Sequence, residues 1–300
     1  MTMTVHPGAV AADGEATTTI TAFPALRALP TIGTARSIAK AAPGPEPKGE
    51  RGISVFFPCF NDAGTIPSMV MEALTVLRGL TRTYEVIVIE NGSTDYAWDV
   101  LDELDRLYGP NGADAQERGR VRVIRYGEAL DYGGALRAGF AACRYPLIFY
   151  TDGDGQYDVR ELRALYTAME LEEGAGRPVD VVMGNKITRR DPLHRRFISW
   201  AYHHSMSFVF QFKVHDVDCD FRLIRAAKLD QIHLEHSSGV ICVELVKKLQ
   251  DAGARFVEVP IHHYPRLHGQ SQFFKLSAVA GSLKDLALLW FRLVVFRKRG

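Results

Sequence analysis

Apolar residues along the chain switch between two periods. Short apolar runs at 53–58, 84–90, 121–125 and 146–151 read as strands, the first closed by Pro58. The run Val86-Ile87-Val88-Ile89 is apolar at every position, as expected of a strand covered on both faces. Between these runs the period becomes helical. Residues 65–80 place Ile66, Met69, Val70, Ala73, Leu74 and Leu77 on one face. Further helices are predicted over 94–108, 134–143 and 158–173, a polar loop over 109–119 and a fifth strand over 179–184. Strand and helix alternating at this spacing predict βαβ units, hence an α/β fold with a parallel sheet between helices. Ligands in such sheets bind beyond the carboxyl ends of the strands. Asn61-Asp62, Glu90 to Ser93 and Asp152 to Asp154 are therefore expected to converge.

The second half is less regular. An aromatic-rich helix is expected over 195–212, a loop or short strand over 216–222, a helix over 239–252, a strand over 255–260 and a largely helical end over 270–299. The first 50 residues mix Ala, Thr, Pro and Gly without sustained periodicity and read as a disordered tail, with no signal peptide. Three hundred residues, 47% hydrophobic, suffice for a large core, and a formal net charge of +1 gives no global reason to expect nucleic acid. Cys59, Cys143, Cys219 and Cys242 show no C-x-x-C spacing and sit in apolar contexts, which points to reduced thiols and a cytoplasmic protein.

Chemistry concentrates after the fourth apolar run. Asp152-Gly153-Asp154-Gly155 projects two carboxylates, one residue apart, from a strand end. Two hard oxygen ligands with room for a diphosphate suit Mg2+ or Mn2+; an ordinary acidic turn is the alternative. Glu90-Asn91-Gly92-Ser93-Thr94-Asp95 ends an apolar strand in an acid that can accept from a ribose or a base N–H, with Ser93 or Thr94 as helix cap.

These motifs, with Pro58-Cys59-Phe60-Asn61-Asp62, Gly133-Gly134-Ala135-Leu136-Arg137, Asp216-Val217-Asp218-Cys219-Asp220-Phe221-Arg222, Glu244 and Arg266-Leu267-His268-Gly269-Gln270-Ser271, stand in the order found in family 2 glycosyltransferases. The chain resembles their dolichol-phosphate-mannose-synthase-like group, which transfers sugars to polyprenyl phosphates. The resemblance implies a GT-A fold (Rossmann-like, for nucleotide-diphospho-sugars) over 51–275, followed by a C-terminal amphipathic helix over 276–300. It implies a UDP- or GDP-sugar donor and a divalent metal. Pro58, Phe60, Asn61 and Asp62 would then border the nucleoside, and Glu90 and Ser93 would contact it. Asp152, Gly153 and Asp154 would flank the diphosphate, with Asp152, Asp154 and Gln156 as the metal set. Asp131, Gly134, Arg137, Arg222 and Glu244 would line the substrate region, and Arg266 and Ser271 would meet phosphate. The chain departs from the family pattern at Phe60 and Asp62, in place of a frequent Tyr and Glu, at Glu90, where Asp is commoner, at Asp131-Tyr132-Gly133-Gly134, in place of an Asn-x-Gly start, and at Asp220, where a small residue is common.

The acceptor is open at this level. A lipid phosphate is already anionic, whereas a hydroxyl of a soluble acceptor needs a base, for which Asp216, Asp218 and Asp220 are the candidates. A nucleotide-sugar-binding module without catalysis is a further alternative, disfavoured by intact Asp152, Asp154 and Gln156. The pairs His203-His204 and His262-His263 lack zinc spacing and read as surface histidines, with His262, His263 and His268 near the expected phosphate loop. Arg189-Arg190 and His194-Arg195-Arg196 precede the aromatic helix and suit either a lipid phosphate or a solvated face. Residues 286–296, apolar with Trp290 and a basic end at Arg297-Lys298-Arg299, are too short to span a bilayer. They suit either an interfacial helix on the inner face of the cell membrane or a helix docked on the core or in a homodimer.

Overall fold

The computed structural model describes residues 51–187, 209–266 and 276–296. The expected N-terminal tail, most of the aromatic helix with its basic stretch, His203-His204, His268, Ser271 and the basic end 297–299 lie outside the described residues.

Seven strands form one sheet in the order β3-β2-β1-β4-β6-β5-β7. They are β1 Ile53–Cys59, β2 Tyr84–Asn91, β3 Val121–Tyr126, β4 Leu147–Thr151, β5 Val181–Lys186, β6 Phe221–Arg225 and β7 Phe256–Ile261. The helices are α1 Ile66–Leu80, α2 Ala97–Tyr108, α3 Asp131–Ala142, α4 Leu162–Gly174, α5 Ala226–Leu229, α6 Ile241–Asp251 and α7 Leu276–Trp290. Alternate strand residues feed two faces. Val55, Phe57, Val86 and Val88 pack with α1, α2 and α4, whereas Phe56, Ile87 and Ile89 pack with α3 and α6. This explains the unbroken apolar runs.

The expected all-parallel sheet is corrected at one strand. β1 pairs in parallel with β2 and β4, and β5 with β7, but β6 enters between β4 and β5 and runs antiparallel to both. A period-two pattern reports which residues share a face and carries no strand direction, so this reversal has no local signature. Helix starts also shift: the helix expected from 158 begins at Leu162, after a 3-10 turn over Val159–Glu161. α2 begins at Ala97, because Ser93 and Thr94 serve other partners, and α3 begins at Asp131, a residue with φ of 56°.

α7 docks on a third cluster, in which Leu289 is buried against Phe210, Val214, Val243 and Val246. Trp290 Nε1 donates to the Val209 carbonyl at 2.9 Å, and Arg292 pairs with Glu235 at 2.7 Å. Its outward side, continuing through a π-helical turn over Phe291–Val295, exposes Leu288, Phe291, Val295 and Phe296. No helix among the described residues is long and apolar enough to cross a membrane.

Candidate active site

The sheet reverses its strand order between β1 and β4, and in open α/β sheets a ligand crevice lies at such a switch point. Phe56 faces Tyr150 and Cys59 faces Glu90 across the parallel ladders. The segments 60–62, 90–95 and 152–154 thus emerge side by side, as the sequence implied.

Asn61 is held at φ 59°, and its side-chain oxygen accepts from Thr94 N (2.7 Å), Thr94 Oγ1 (3.2 Å) and Asp95 N (3.2 Å). Its own amide donates to Ser93 Oγ at 3.0 Å. Asn61 and Ser93 therefore lock the β1 and β2 ends together. Pro58 is buried in β1, while Phe60 stands 37% exposed at the rim. Glu90 is fully buried; its Oε1 accepts from Ser93 N at 2.6 Å, while Oε2 has no hydrogen-bond partner among the described residues.

Gly153 lies against β1. A Cβ there would stand 2.4 Å from the Pro58 carbonyl, and Thr65 Oγ1 donates to the Gly153 carbonyl at 2.6 Å. Glycine is required for the Asp152–Asp154 turn to sit this close. Asp154 Oδ2 meets Arg266 at 3.1 Å, and the same guanidinium lies 3.8 Å from Asp62. Burial pushes the Asp62 carboxyl up to about 6, with Asp154 and Asp95 adding to it against Phe60 N–H and Arg266. Asp152 is likewise pushed well above the usual carboxylate range by enclosure, then by the Asp220 and Asp154 charges. Gln156 donates its side-chain amide to the Tyr264 carbonyl at 3.1 Å and accepts from Tyr264 N at 2.8 Å, which ties the segment bearing Arg266 to the carboxylates.

The chemistry of this donor set, clustered carboxylates, is of the kind a divalent cation would relieve. Asp62, Asp152 and Asp154 repel one another, and a cation relieves that repulsion. Among the described residues no group of three or more His, Cys, Asp or Glu side chains is arranged to hold a metal ion by itself, so a cation here would draw the rest of its coordination from elsewhere. Sites of this kind leave coordination positions to phosphate and water, as Mg2+ and Mn2+ favour.

The other predicted residues divide. Asp220 joins the site from below: Tyr132 Oη lies 2.6 Å from Asp152 Oδ1 and 3.1 Å from Asp220 Oδ2. Asp220 also pairs with Arg222 at 3.0 Å, and Arg222 is fully buried. Asp216 faces Lys186 at 3.5 Å, and Lys186 Nζ donates to the Asp218 carbonyl at 3.0 Å, so the acidic cluster is split between two networks.

Glu244, Arg137, Asp131 and Gly134 build the α3 entrance. Glu244 is fully buried, accepts from Glu235 N (3.1 Å) and His236 N (3.0 Å), and pairs with Lys248 at 2.8 Å. Arg137 donates to the carbonyls of Glu235, at 3.1 Å, and His236. Gly133 N donates to the Ser237 carbonyl at 2.6 Å. Asn91 Nδ2 donates to the Asp131 carbonyl at 3.4 Å, and the Leu130 amide donates to Asn91 Oδ1 at 2.7 Å. At Gly134 a Cβ would crowd the Leu130 side chain at 2.7 Å. Tyr132 and Tyr150 were not singled out by sequence reasoning. Their contacts span 20 and 70 residues, and no spacing rule reports such pairs.

The family profile "Glycosyl transferase family 2" matches residues 54–232. Dodecaprenyl-phosphate galacturonate synthase of Rhizobium johnstonii is 24% identical over 74% of this chain and 61% of its own length. Dolichyl-phosphate beta-glucosyltransferase of Mus musculus is 26% identical over 61% of this chain and 59% of its own. The chain thus spans about three-fifths of the length of these relatives. Glucosyl-3-phosphoglycerate synthase of Mycobacterium tuberculosis, crystallised with Mn2+, UDP and glucosyl-3-phosphoglycerate, shares the fold with a TM-score of 0.56. Its identity is 18%, over 80% of this chain and 79% of that one.

Proposed function

This chain belongs to glycosyl transferase family 2, and on that premise we propose that it transfers a sugar from a UDP- or GDP-sugar to a polyprenyl phosphate. The observation that carries this reading is Asp62 and Asp154 facing Arg266, with both carboxylates acting by charge on Asp152, at the β1/β4 switch point. Carboxylates at the rim would hold Mg2+ or Mn2+, with Asp154 as the main ligand beside Asp152. When bound, that cation neutralises the diphosphate leaving group. Arg266, already poised over Asp154, supplies a second positive charge to the same phosphates. Exposed Phe60 offers an apolar face to the nucleobase, and Glu90 an acceptor to the nucleoside.

A phosphate oxygen of the acceptor attacks the anomeric carbon as the bond from that carbon to the diphosphate oxygen breaks. The bonding electrons leave with the nucleoside diphosphate, and no proton has to be removed from the acceptor. This suits the surroundings of the acidic cluster. Asp216 is engaged by Lys186 and Asp220 by Arg222, Tyr150 and Cys242, so both are poor candidates for a base. The names of the two polyprenyl-phosphate relatives support the same acceptor class. The outward apolar side of α7 and the following turn (Leu288, Phe291, Val295, Phe296) would rest on the cytoplasmic membrane face, where such an acceptor resides.

The test is a panel of UDP- and GDP-sugars with Mn2+ or Mg2+, following nucleoside diphosphate release with and without a short polyprenyl phosphate. Release stimulated by the lipid supports the reading. Release that ignores the lipid but rises with a soluble sugar alcohol would replace it with a hydroxyl acceptor.

A further inference from the structure

Resting on the glycosyl-transfer reading, we propose that Tyr132 is a positioning residue. Its phenol fixes one oxygen of Asp152, so that the other is presented to the donor and its cation.

The hydroxyl has one proton and faces two carboxylates. Asp152 Oδ1 is at 2.6 Å and Asp220 Oδ2 at 3.1 Å. Asp220 has other donors: Tyr150 Oη at 3.1 Å, Cys242 Sγ at 3.2 Å and the Arg222 guanidinium at 3.0 Å. The Tyr132 proton therefore belongs to the shorter contact, with Asp152. Among the described residues no other donor reaches Asp152, which leaves Oδ2 to the site.

The support beneath this contact is continuous. Tyr150 and Arg222 are opposite one another in the β4–β6 ladder. Arg222 donates to the Tyr150 oxygen, and Tyr150 donates to Asp220. A fully buried guanidinium demands a counter-charge, which Asp220 supplies. Asp152 follows Tyr150 by two residues, so the network ends directly beneath it.

The phenol is itself clamped. It sits in the first turn of α3, whose start is bonded to Asn91 and to the Ser237 carbonyl. The 235–236 segment is in turn gripped by buried Glu244. Gly133 permits the approach, since a Cβ there would stand 2.3 Å from the His236 carbonyl. A reacting group held by rigid elements on both sides is what precise orientation requires. Two of the places where this chain departs from the family pattern, 131–134 and Asp220, thus meet at one hydroxyl.

Tyr132→Phe in the full chain separates positioning from packing, because the ring is kept and the hydroxyl removed. Its melting temperature should stay close to wild type. With Mn2+ and the preferred nucleotide sugar, kcat should fall about 10- to 100-fold, whether lipid phosphate or water is the acceptor, as for loss of a group orienting a metal-site carboxylate. Donor KM should change less than about three-fold, since the nucleoside contacts are remote. Crystal structures of both proteins should show Asp152 rotated or split between rotamers in the variant. A wild-type kcat, or an Asp152 that keeps its rotamer, overturns the proposal. If the wild-type protein transfers nothing to lipid phosphate, the lipid-acceptor reading fails, and the pair of crystal structures still decides whether the phenol fixes Asp152.

Discussion

Glu244 offers the sharpest energetic test of how the site is supported. It looks like a substrate-binding acid in the sequence, yet it is fully buried, accepts from two backbone amides and pairs with Lys248. Burial by itself would raise its carboxyl, but the His236 and Lys248 hydrogen bonds override burial and hold it at about 2, against an ordinary 4.5. That difference corresponds to about 3 kcal/mol of stability at neutral pH. Because the folded value is the lower one, the contribution is present above about pH 4.5 and is lost as pH falls toward about 2. At about pH 3.5 it should have shrunk to roughly 2 kcal/mol. Glu244→Gln removes the charge and turns an amide donor toward other donors, so urea unfolding at neutral pH should show a loss of about 2–4 kcal/mol. The gap between the two proteins should narrow with acid. A loss below about 0.5 kcal/mol, or a gap that widens as pH falls, would refute the assigned network.

Other substitutions probe the rim and the core. Asp154→Ala should abolish transfer and weaken Mn2+ binding without unfolding the chain, as read by activity, calorimetry and circular dichroism; near-normal turnover would remove Asp154 from the metal site. Given the proposed role of Glu90 as a nucleoside contact away from the reacting carbon, Glu90→Ala should mainly raise donor KM; a pure kcat effect would contradict that role. Gly139→Ala should cost about 1–3 kcal/mol in thermal or urea unfolding, because its Cβ would stand 2.2 Å from the buried Phe56 ring, itself stacked on Tyr150. An unchanged melting temperature would show that this core yields.

Much of the fold was legible because burial on both sheet faces writes itself into sequence. Val86-Ile87-Val88-Ile89 is one such run, and the α1 stripe from Ile66 to Leu77 is another. The convergence of Asp62, Glu90 and Asp154 followed from the rule that loops after parallel strands share one rim. What escaped depends on contacts between distant segments. β6, expected as a loop or short strand over 216–222, lies at Phe221–Arg225, and only its pairing with Thr151 to Leu147 reveals its direction. Asn61 and Ser93, expected beside the nucleoside, also bond each other's segments, a contact that no local pattern reports. Glu244 sits in a helix that is buried nearly all round, between Val243 and Leu245, and its hydrogen-bond partners at 235–236 come from another segment. Tyr132 gave none, since a lone aromatic at a helix start is most simply packing.

The most direct test of glycosyl transfer to a lipid phosphate is the mass of the product. The purified chain is incubated with Mn2+, a nucleotide sugar that it turns over and a short polyprenyl phosphate, and the lipid fraction is analysed by mass spectrometry. The expected product is the lipid phosphate heavier by one glycosyl unit, formed in step with nucleoside diphosphate and absent with Asp154→Ala. Nucleoside diphosphate release with the lipid mass unchanged, and the sugar recovered on water or on a soluble alcohol, would contradict it.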